Sequence, residues 1–401
     1  MTIRSPTRKF EARRAEIVTS AVAVLNRKGV RGMTLGEVAE KLQIAPNGLI
    51  YYFKNKDELA RACFLNGLER LSGMLTEAQA GASVAERVQR FLQGHFAFRR
   101  EVVEGRAEPL PVFSDVRALN APCVNAAYVD MFRKVRGLLE GPETSGLSRM
   151  ELNARAYLLL SEVLWSTTWL VRRDPEDYDR VAQRVATVIL GGFGAPGAAW
   201  APVPMEAPQI ELADETAEMF LRAGTALINE EGYAGASVER ISARLNLTKG
   251  AFYHRNLSKD ELIQACFQRS LDVKRDAMRQ AERLQVPAGQ ALASFAVCLV
   301  ERQVAEEMEL VHPTSLNSAP DSLGPRLQRR YDRMSDRVAS MICDGVADGS
   351  LRPVDVNIAA QMLLSLVASA SRLKFWAPGV TPSDAAALYV RPFFDGLIPK
   401  G

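Results

Sequence analysis

Apolar residues recur along most of the chain at spacings of three and four positions, which is the period of one face of an α-helix. Ile17, Ala21, Val24 and Leu25 show this spacing near the start of the chain. No segment shows the sustained two-residue alternation that is typical of a half-buried β-strand. The pattern therefore predicts an all-α protein, and we expect no sheet.

The helical pattern occurs twice. Residues 14–68 align without a gap on residues 217–271 at a fixed offset of 203, with 13 identities in 55 positions. The first-copy members of the identical pairs are Ala23, Asn26, Gly29, Gly32, Leu42, Lys56, Asp57, Glu58, Leu59, Ala62, Cys63, Phe64 and Leu68. Such a repeat indicates two copies of one structural unit within a single polypeptide.

Local signals in each copy predict a helix–turn–helix. The first helix of each copy is followed by a glycine, Gly29 or Gly232, which favours a left-handed C-terminal cap. Thr34 and Glu37 form a capping-box pattern at the start of the second helix, and Ser237 keeps the capping hydroxyl in the second copy. Three short helices with a tight turn place the third helix where its N-terminal residues reach base edges in the major groove of DNA.

Composition places the chain among globular proteins of more than one domain. Of its 401 residues 47% are hydrophobic and 24% are charged, and the formal net charge is +3. The N-terminus has no apolar core of a secretory signal, and the most apolar stretches, 156–171 and 356–367, are too short or too polar for a membrane span. The five cysteines form no CxxC pair. We therefore expect a cytoplasmic protein with free thiols, without metal or cofactor.

Two segments carry a resemblance to a known family. Residues 42–59, LQIAPNGLIYYFKNKDEL, and residues 245–262, LNLTKGAFYHRNLSKDEL, resemble the recognition region of the tetracycline-repressor (TetR) family of bacterial regulators. The resemblance implies a fused tandem pair of units, each with a helix–turn–helix domain followed by a helical ligand-binding and dimerisation domain. The expected domains are 1–60 and 61–193, a Gly/Pro/Ala-rich linker at 194–208, then 209–263 and 264–401.

The resemblance also implies roles in binding a double-stranded DNA operator, through base edges or through phosphates. In the first copy the implied contacts are Thr34, Ala45, Pro46, Asn47, Leu49, Tyr51, Tyr52 and Lys56. In the second copy they are Ser237, Thr248, Lys249, Gly250, Phe252, Tyr253, His254 and Lys259.

The second copy departs from the family pattern, because Arg255 and Asn256 stand where the first copy keeps Tyr52 and Phe53. Charge separates the copies as well: residues 1–60 carry a net +5, and residues 204–263 a net −4. Since phosphate contacts supply much of DNA affinity, we expect the first copy to bind more strongly. Two hypotheses stay open. Both copies read half-sites of an imperfect palindrome, or only the first binds DNA and the second half is a protein-interaction or pseudo-dimerisation module.

For the regulatory helices the resemblance implies a four-helix bundle within one chain, from segments 148–173, 175–191, 355–375 and 383–397, so that the chain is a monomeric pseudo-dimer. A mostly apolar cavity with few polar groups suits a small hydrophobic or aromatic effector, whose binding shifts the spacing of the two readers. Candidate pocket residues are His95, Phe98, Arg99, Tyr128, Trp165, Trp169, Cys298, Arg302, His312, Tyr331 and Trp376, although aromatic residues at helical spacing more often belong to a core.

Other classes of function are disfavoured. The sequence has no glycine-rich phosphate loop, no GxSxG and no HExxH, and its three histidines lie far apart. Glu309 and His312 give one ExxH spacing, whereas a di-iron bundle needs two. We therefore expect no enzyme. A redox sensor is disfavoured because Cys63 and Cys266 fall at core-like helix positions, where thiols are inert.

Overall fold

The computed structural model describes residues 8–113, 119, 121–210, 215–246, 258–312, 315 and 323–399. Across these ranges the chain is helical, and the described residues contain no strand, only an isolated bridge between Gly194 and Leu351. The prediction of an all-α protein is confirmed.

The helices have the following bounds. In the first half they are α1 Arg8–Gly32, α2 Leu35–Lys41, α3 Pro46–Ile50, α4 Lys56–Ala78, α5 Val84–Val103, α6 Pro122–Leu138, α7 Arg149–Trp169 and α8 Tyr178–Gly191. In the second half they are α9 Glu215–Gly235, α10 Val238–Arg244, α11 Lys259–Glu282, α12 Ala288–Val304, α13 Gly324–Ala347, α14 Val356–Ser369, α15 Leu373–Trp376, α16 Pro382–Ala385 and α17 Arg391–Asp395, with a π-helical turn, Ala386–Val390, between the last two.

The sequence signals for helix ends act as expected. The positive φ of +68° at Gly29 breaks α1, and Gly232 breaks α9 at +71°. The Thr34 hydroxyl accepts a hydrogen bond from the Glu37 N–H, and the Glu37 carboxylate accepts one from the Thr34 N–H, so the capping box of α2 is complete. Pro46 is the first residue of α3, where a missing N–H costs nothing.

The repeat is also visible in tertiary contacts. The Cys63 thiol donates to the Val18 carbonyl at 3.6 Å, and the Cys266 thiol donates to the Leu221 carbonyl at the same distance. In the helix–turn–helix turn, Gln43 and Asn246 share a φ of +54°. Each pair is related by the offset of 203, so the two heads, residues 8–60 and 215–263, fold alike where they are described.

Beyond the heads the offset changes. The helices α5 and α12 end alike, with a residue of positive φ followed by two N–H groups that donate to one carbonyl of the last turn. The residues are Gly105, Arg106 and Ala107 with the Glu101 carbonyl, and Glu306, Glu307 and Met308 with the Arg302 carbonyl. This turn matches the two helices at an offset of 201, and α12 ends just before it, at Val304.

The two halves join along α7 and α8 of the first and α14, the π-helical turn and α17 of the second. Hydrogen bonds cross the junction from Tyr157 Oη to the Ser369 carbonyl at 2.7 Å and from Trp165 Nε1 to the Gln361 carbonyl at 3.0 Å. The four segments expected to form a bundle therefore meet within one chain, and buried apolar residues of both halves share one core.

The linker 194–208 lies along the second half. The Gly194 N–H donates to the Phe394 carbonyl at 2.9 Å, and the Val203 N–H donates to Ser294 Oγ at 2.8 Å. Trp200 lies against the Phe394 ring, with centroids 5.4 Å apart. The extended path expected from its composition is thus fixed to the surface of α12 and the C-terminal helices.

One segment, Val356–Trp376, is long and apolar enough to cross a membrane by length and composition alone, with a hydropathy of 1.3. Within its most apolar window 78% of the residues are buried in the protein, which is how a core helix behaves. Its apolar character is therefore explained by its place at the junction of the halves.

Thiol reactivity offers a simple test of this packing. Burial raises the pKa of Cys63 and of Cys266 to about 12, whereas Cys123 and Cys343 are exposed. Because the thiolate is the nucleophile, we expect Cys123 and Cys343 to react quickly with a disulfide reagent at neutral pH, and Cys63 and Cys266 only on unfolding. Peptide mapping after timed labelling checks this; rapid labelling of Cys63 in the folded protein would contradict it.

Candidate nucleic-acid interface and ligand cavity

The short helix α3 projects from the first head. Its N-cap Ala45 and the residues Pro46 and Asn47 are exposed, and Ile50 and Tyr51 keep 51% and 73% of their surface in contact with solvent. An exposed helix N-terminus with a polar side chain such as Asn47 can face base edges or phosphates.

An aromatic cluster fixes the end of α3 to the start of α1. The Phe10 ring stacks on Tyr52, with centroids 4.8 Å apart, and both rings meet Tyr51 edge to face at 5.1–5.5 Å. The exposed Arg8 and Lys9 precede Phe10. The cluster therefore places two cations beside the exposed tyrosine, on one face of the head.

Two of the expected contacts need revision. Leu49 is fully buried in the core of the head, so its side chain cannot face a base, and the expectation for Leu49 is wrong. Lys56 Nζ donates to the Arg31 carbonyl at 2.7 Å, so part of its hydrogen-bonding capacity serves the end of α1. Thr34 is exposed, and its hydroxyl holds the capping box.

In the second head the structure describes only two of the expected contacts. The Ser237 hydroxyl caps α10 by accepting from the Arg240 N–H at 3.3 Å, and burial lowers the pKa of Lys259. The expected contacts that lie outside the described residues are Thr248, Lys249, Gly250, Phe252, Tyr253 and His254.

The two heads touch each other. Helix α1 packs against α9, and Arg31 pairs with Glu231 at 2.6 Å across this contact. Glu231 is mostly buried and also pairs with Arg240, so one carboxylate holds cations from both heads. This pairing was not predicted from the sequence, because Arg31 and Glu231 are not equivalent positions in the repeat.

A cavity of about 580 Å³ opens between the halves, and both contribute to its wall. The first half supplies Asn26, His95, Arg99, Pro109, Leu110, Pro111, Val112, Phe113, Asn125, Tyr128, Val129, Tyr157, Leu160, Ser161, Leu164 and Thr167, and the second supplies His312, Arg372, Phe375 and Trp376. Its volume lies in the range of about 300–1,000 Å³ that is typical of small-molecule sites.

The polar side of the cavity lies on α5. His95 is fully buried, and burial chiefly, with the nearby Arg99, lowers its pKa to about 3, so the imidazole is neutral. Its Nε2 lies 3.3 Å from Ser166 Oγ. Burial also lowers the pKa of Arg99, although a guanidinium keeps its charge.

Rings from both halves form another wall. Trp376 stacks on Phe132, with centroids 4.0 Å apart, and on Tyr128 at 5.3 Å. The second half thus places one of its aromatic side chains on α6 of the first, beside the cavity.

The candidate pocket residues come from both halves, and the structure brings some of them together at the cavity between the halves. His95, Arg99, Tyr128, His312 and Trp376 line it. The expected pocket residues that do not line it are Phe98, Trp165, Trp169, Cys298, Arg302 and Tyr331.

Packing explains these misses. Trp165 meets Tyr331 edge to face at the junction of the halves, and Phe98 lies under Arg70. Trp169 is buried beside the Phe96 ring. The linker covers the other two: Cys298 donates to the Glu206 carbonyl, and Arg302 donates to the Met205 carbonyl at 3.2 Å.

Asn26 connects the first head to the cavity. Its Nδ2 donates to the Leu110 carbonyl, and its Oδ1 accepts from the Val112 N–H, both at 2.9 Å. The bridged loop, 109–113, lines the cavity. In α4, Gly67 lies so close to Pro111 that a Cβ there would fall 2.3 Å from its ring. The loop is therefore bonded to α1 of the head and packed against α4.

Asn229 makes the same bridge in the second half. Its Nδ2 donates to the Leu310 carbonyl at 2.9 Å, and its Oδ1 accepts from the His312 N–H at 2.7 Å. Its carbonyl accepts from Arg372, which also lines the cavity. These two bridges were missed, although Asn26 and Asn229 are among the identical positions of the repeat.

Comparisons with known proteins agree with this geometry. The family described as bacterial regulatory proteins of the tetR family matches residues 17–63 and again residues 220–266, two ranges separated by 203. The uncharacterized HTH-type transcriptional regulator YxbF of Bacillus subtilis is 20% identical over 274 residues, covering 65% of this chain and 67% of its own. The HTH-type transcriptional repressor KstR2 of Mycobacterium tuberculosis is 24% identical over 198 residues, 47% of this chain and 96% of its own.

Among solved structures, AibR in complex with isovaleryl coenzyme A and operator DNA matches 44% of this chain and 96% of its own, at 19% identity and a TM-score of 0.37. The helical fold and the duplicated helix–turn–helix domain are those of a DNA-binding transcriptional regulator. The chain carries the N-terminal domain of the tetR family of bacterial regulatory proteins twice.

Proposed function

We propose that this protein is a transcriptional repressor that reads two half-sites of one operator with its two heads and leaves DNA when a small effector enters the cavity between its halves. The repressor role follows the relative KstR2, whose name describes it as one. The single observation that carries the proposal is the bridge from Asn26 in α1 to the cavity loop 109–113, because it joins a DNA-reading unit to a ligand wall.

The mechanism is a shift between two arrangements of the heads. Two readers on one duplex must lie about 34–36 Å apart, or one helical turn. An effector that moves loop 109–113 displaces Asn26, and one that moves residues 310–312 displaces Asn229. Either displacement changes the distance between the two heads. The effector must bind the two arrangements with different affinity, since otherwise it shifts nothing.

The second candidate function keeps DNA binding in the first head alone. Ion pairs favour it, because Arg240 and Arg244 in α10 are neutralised by Glu231 and Glu230. Residues 204–263 carry a net charge of −4, and a head with internally paired arginines has fewer cations for phosphates. Its role would then be to hold the first head through α1 and α9.

Salt dependence separates the two candidates. The DNA site is first selected from a random pool, and affinity is then measured by fluorescence anisotropy over a range of salt concentrations. The slope of log affinity against log salt is about −0.9 per phosphate neutralised. We expect Asn47→Ala to lower affinity at one half-site by about 10-fold, as for loss of one base contact, and Lys249→Ala to reduce the slope by about one unit.

Each half-site serves as the control for the other. If the selected site has two recognisable halves, and both Asn47→Ala and Lys249→Ala weaken DNA binding, both heads read DNA. A single half-site, with Lys249→Ala unchanged in affinity and slope, establishes the one-reader function. Arg90→Gln, on an exposed part of α5 away from both heads, should leave all values unchanged.

A further inference from the structure

The wall of the cavity narrows the chemical class of its ligand. Four of its residues carry basic nitrogen groups, namely His95, Arg99, His312 and Arg372, and none of the described lining residues carries a carboxylate. Glu309 lies near Arg372, but burial raises its pKa, which favours the neutral form, and its carboxyl accepts from Asn229. The cavity therefore has an excess of positive charge.

Two buried nitrogen atoms of this wall lack partners among the described residues: Nδ1 of His95 and Nε of Arg99. His95 is fully buried, and the two residues lie one turn apart on α5. A buried donor is normally matched by an acceptor, and a guanidinium is best matched by a carboxylate or another oxyanion. The unmatched Nε–H of Arg99 therefore marks the place of a ligand's anionic group. Since the Ser166 hydroxyl donates to the Val163 carbonyl, Nε2–H of the neutral His95 donates to Ser166 and Nδ1 is left as an acceptor for a hydroxyl or amide of the ligand.

We propose, building on the function proposed above, that the cavity binds one organic acid per chain, with its anionic group against Arg99 and its next polar atom beside Nδ1 of His95. Its apolar body lies between loop 109–113 and the rings of Phe375 and Trp376. Phe375 and Val129 are 61% and 41% exposed at the edge of the cavity, which gives an apolar entrance between the halves. A ligand placed there touches both halves, so its affinity depends on how they are arranged.

On α12, the positions equivalent to His95 and Arg99 carry no polar side chain. Because α5 and α12 end in the same kind of turn, residues of the two helices correspond at an offset of 201. Ala296 and Val300 then stand where the first half has His95 and Arg99, and both are fully buried in the core. The expected stoichiometry is therefore one ligand per chain, rather than the two that a symmetric pair would take.

A matched pair of fluorescent probes tests the inference on the full chain. 1-Anilinonaphthalene-8-sulfonate and N-phenyl-1-naphthylamine share one aromatic body, and only the first carries an anion. Calorimetry should give one sulfonate probe per chain. Arg99→Gln should weaken the sulfonate probe about 10-fold or more, as expected for a lost charge-assisted hydrogen bond, and the neutral probe less than about 3-fold.

Two further variants complete the design. Arg372→Gln removes a cation of the other half and should also weaken only the sulfonate probe. Arg90→Gln removes an arginine from the exposed side of α5 and should change neither. If Arg99→Gln loses its cooperative thermal transition, Arg99→Lys keeps a charge at the same place and should retain most of the affinity for the sulfonate probe.

The outcomes separate the inference from the proposed function. The acid site is overturned if two sulfonate probes bind per chain, or if Arg99→Gln lowers the affinity for both probes equally. Selective loss of the sulfonate probe supports it. Operator affinity is measured with each probe present: if the sulfonate probe binds as expected and operator affinity does not change, the acid site stands and the proposed effector response fails.

Discussion

Gly192→Ala is expected to lower the free energy of unfolding by about 3 kcal/mol or more, because it combines backbone strain with a clash. Gly192 ends α8 at φ +67° and ψ −177°, a conformation that is nearly restricted to glycine. A Cβ at this position would lie 2.0 Å from the Phe394 carbonyl oxygen, which belongs to the other half and already accepts from the Gly194 N–H. Chemical denaturation of the full chain measures the effect.

Gly197→Ala is the matched control. Gly197 has a similar φ of +79°, but no atom lies within 4 Å of the Cβ it would gain. The control therefore measures the strain of positive φ alone. It should lower the free energy of unfolding by about 1 kcal/mol. Equal losses for the two variants would show that the close approach of α8 and α17 contributes nothing to holding the halves together.

Asn26→Ala is expected to release loop 109–113 from the first head. The substitution leaves the Leu110 carbonyl and the Val112 N–H without their partner, at a cost of about 1–3 kcal/mol. The exchange rate of the Val112 amide hydrogen should rise about 10-fold or more, because exchange follows the free energy of local opening. Hydrogen exchange with mass spectrometry reads out this segment directly.

The same variant tests coupling to DNA. Allosteric coupling is typically about 5–150-fold, and Asn26→Ala should bring the effect of a bound probe on operator affinity close to none. Asn229→Ala is the matched control, since it should raise exchange at His312 and leave Val112 protected. If Asn26→Ala speeds exchange yet keeps the full response, the signal does not travel through this bridge.

The heads could be foreseen from sequence because their signals are local. Gly29, Thr34 and Pro46 each act on backbone within a few residues, so their effects do not depend on the rest of the fold. The repeat shows most of these signals a second time, and the same offset of 203 recurs in the family match and in the thiol contacts of Cys63 and Cys266.

The misses have two physical reasons, the short length of α3 and the distance along the chain between residues that meet. A helix of five residues gives no reliable face, so Leu49 could be assigned to DNA although it belongs to the core. Asn26 meets partners more than 80 residues away, and the cavity joins α5 to the short helix α15, so neither follows from periodicity. The repeated asparagine was a usable signal, since a polar residue kept among apolar neighbours points to a buried partner.

Because the linker joins the two halves in one chain, their pairing does not depend on how much of the protein is present. Two separate subunits find each other less often as they become scarce, and their occupancy of DNA then falls with the square of concentration. Here the junction of α7 and α8 with α14 and α17 is closed within one molecule, so its assembly is independent of dilution. On the proposed function, we therefore expect operator occupancy to rise with the first power of protein concentration, since no second chain has to be found.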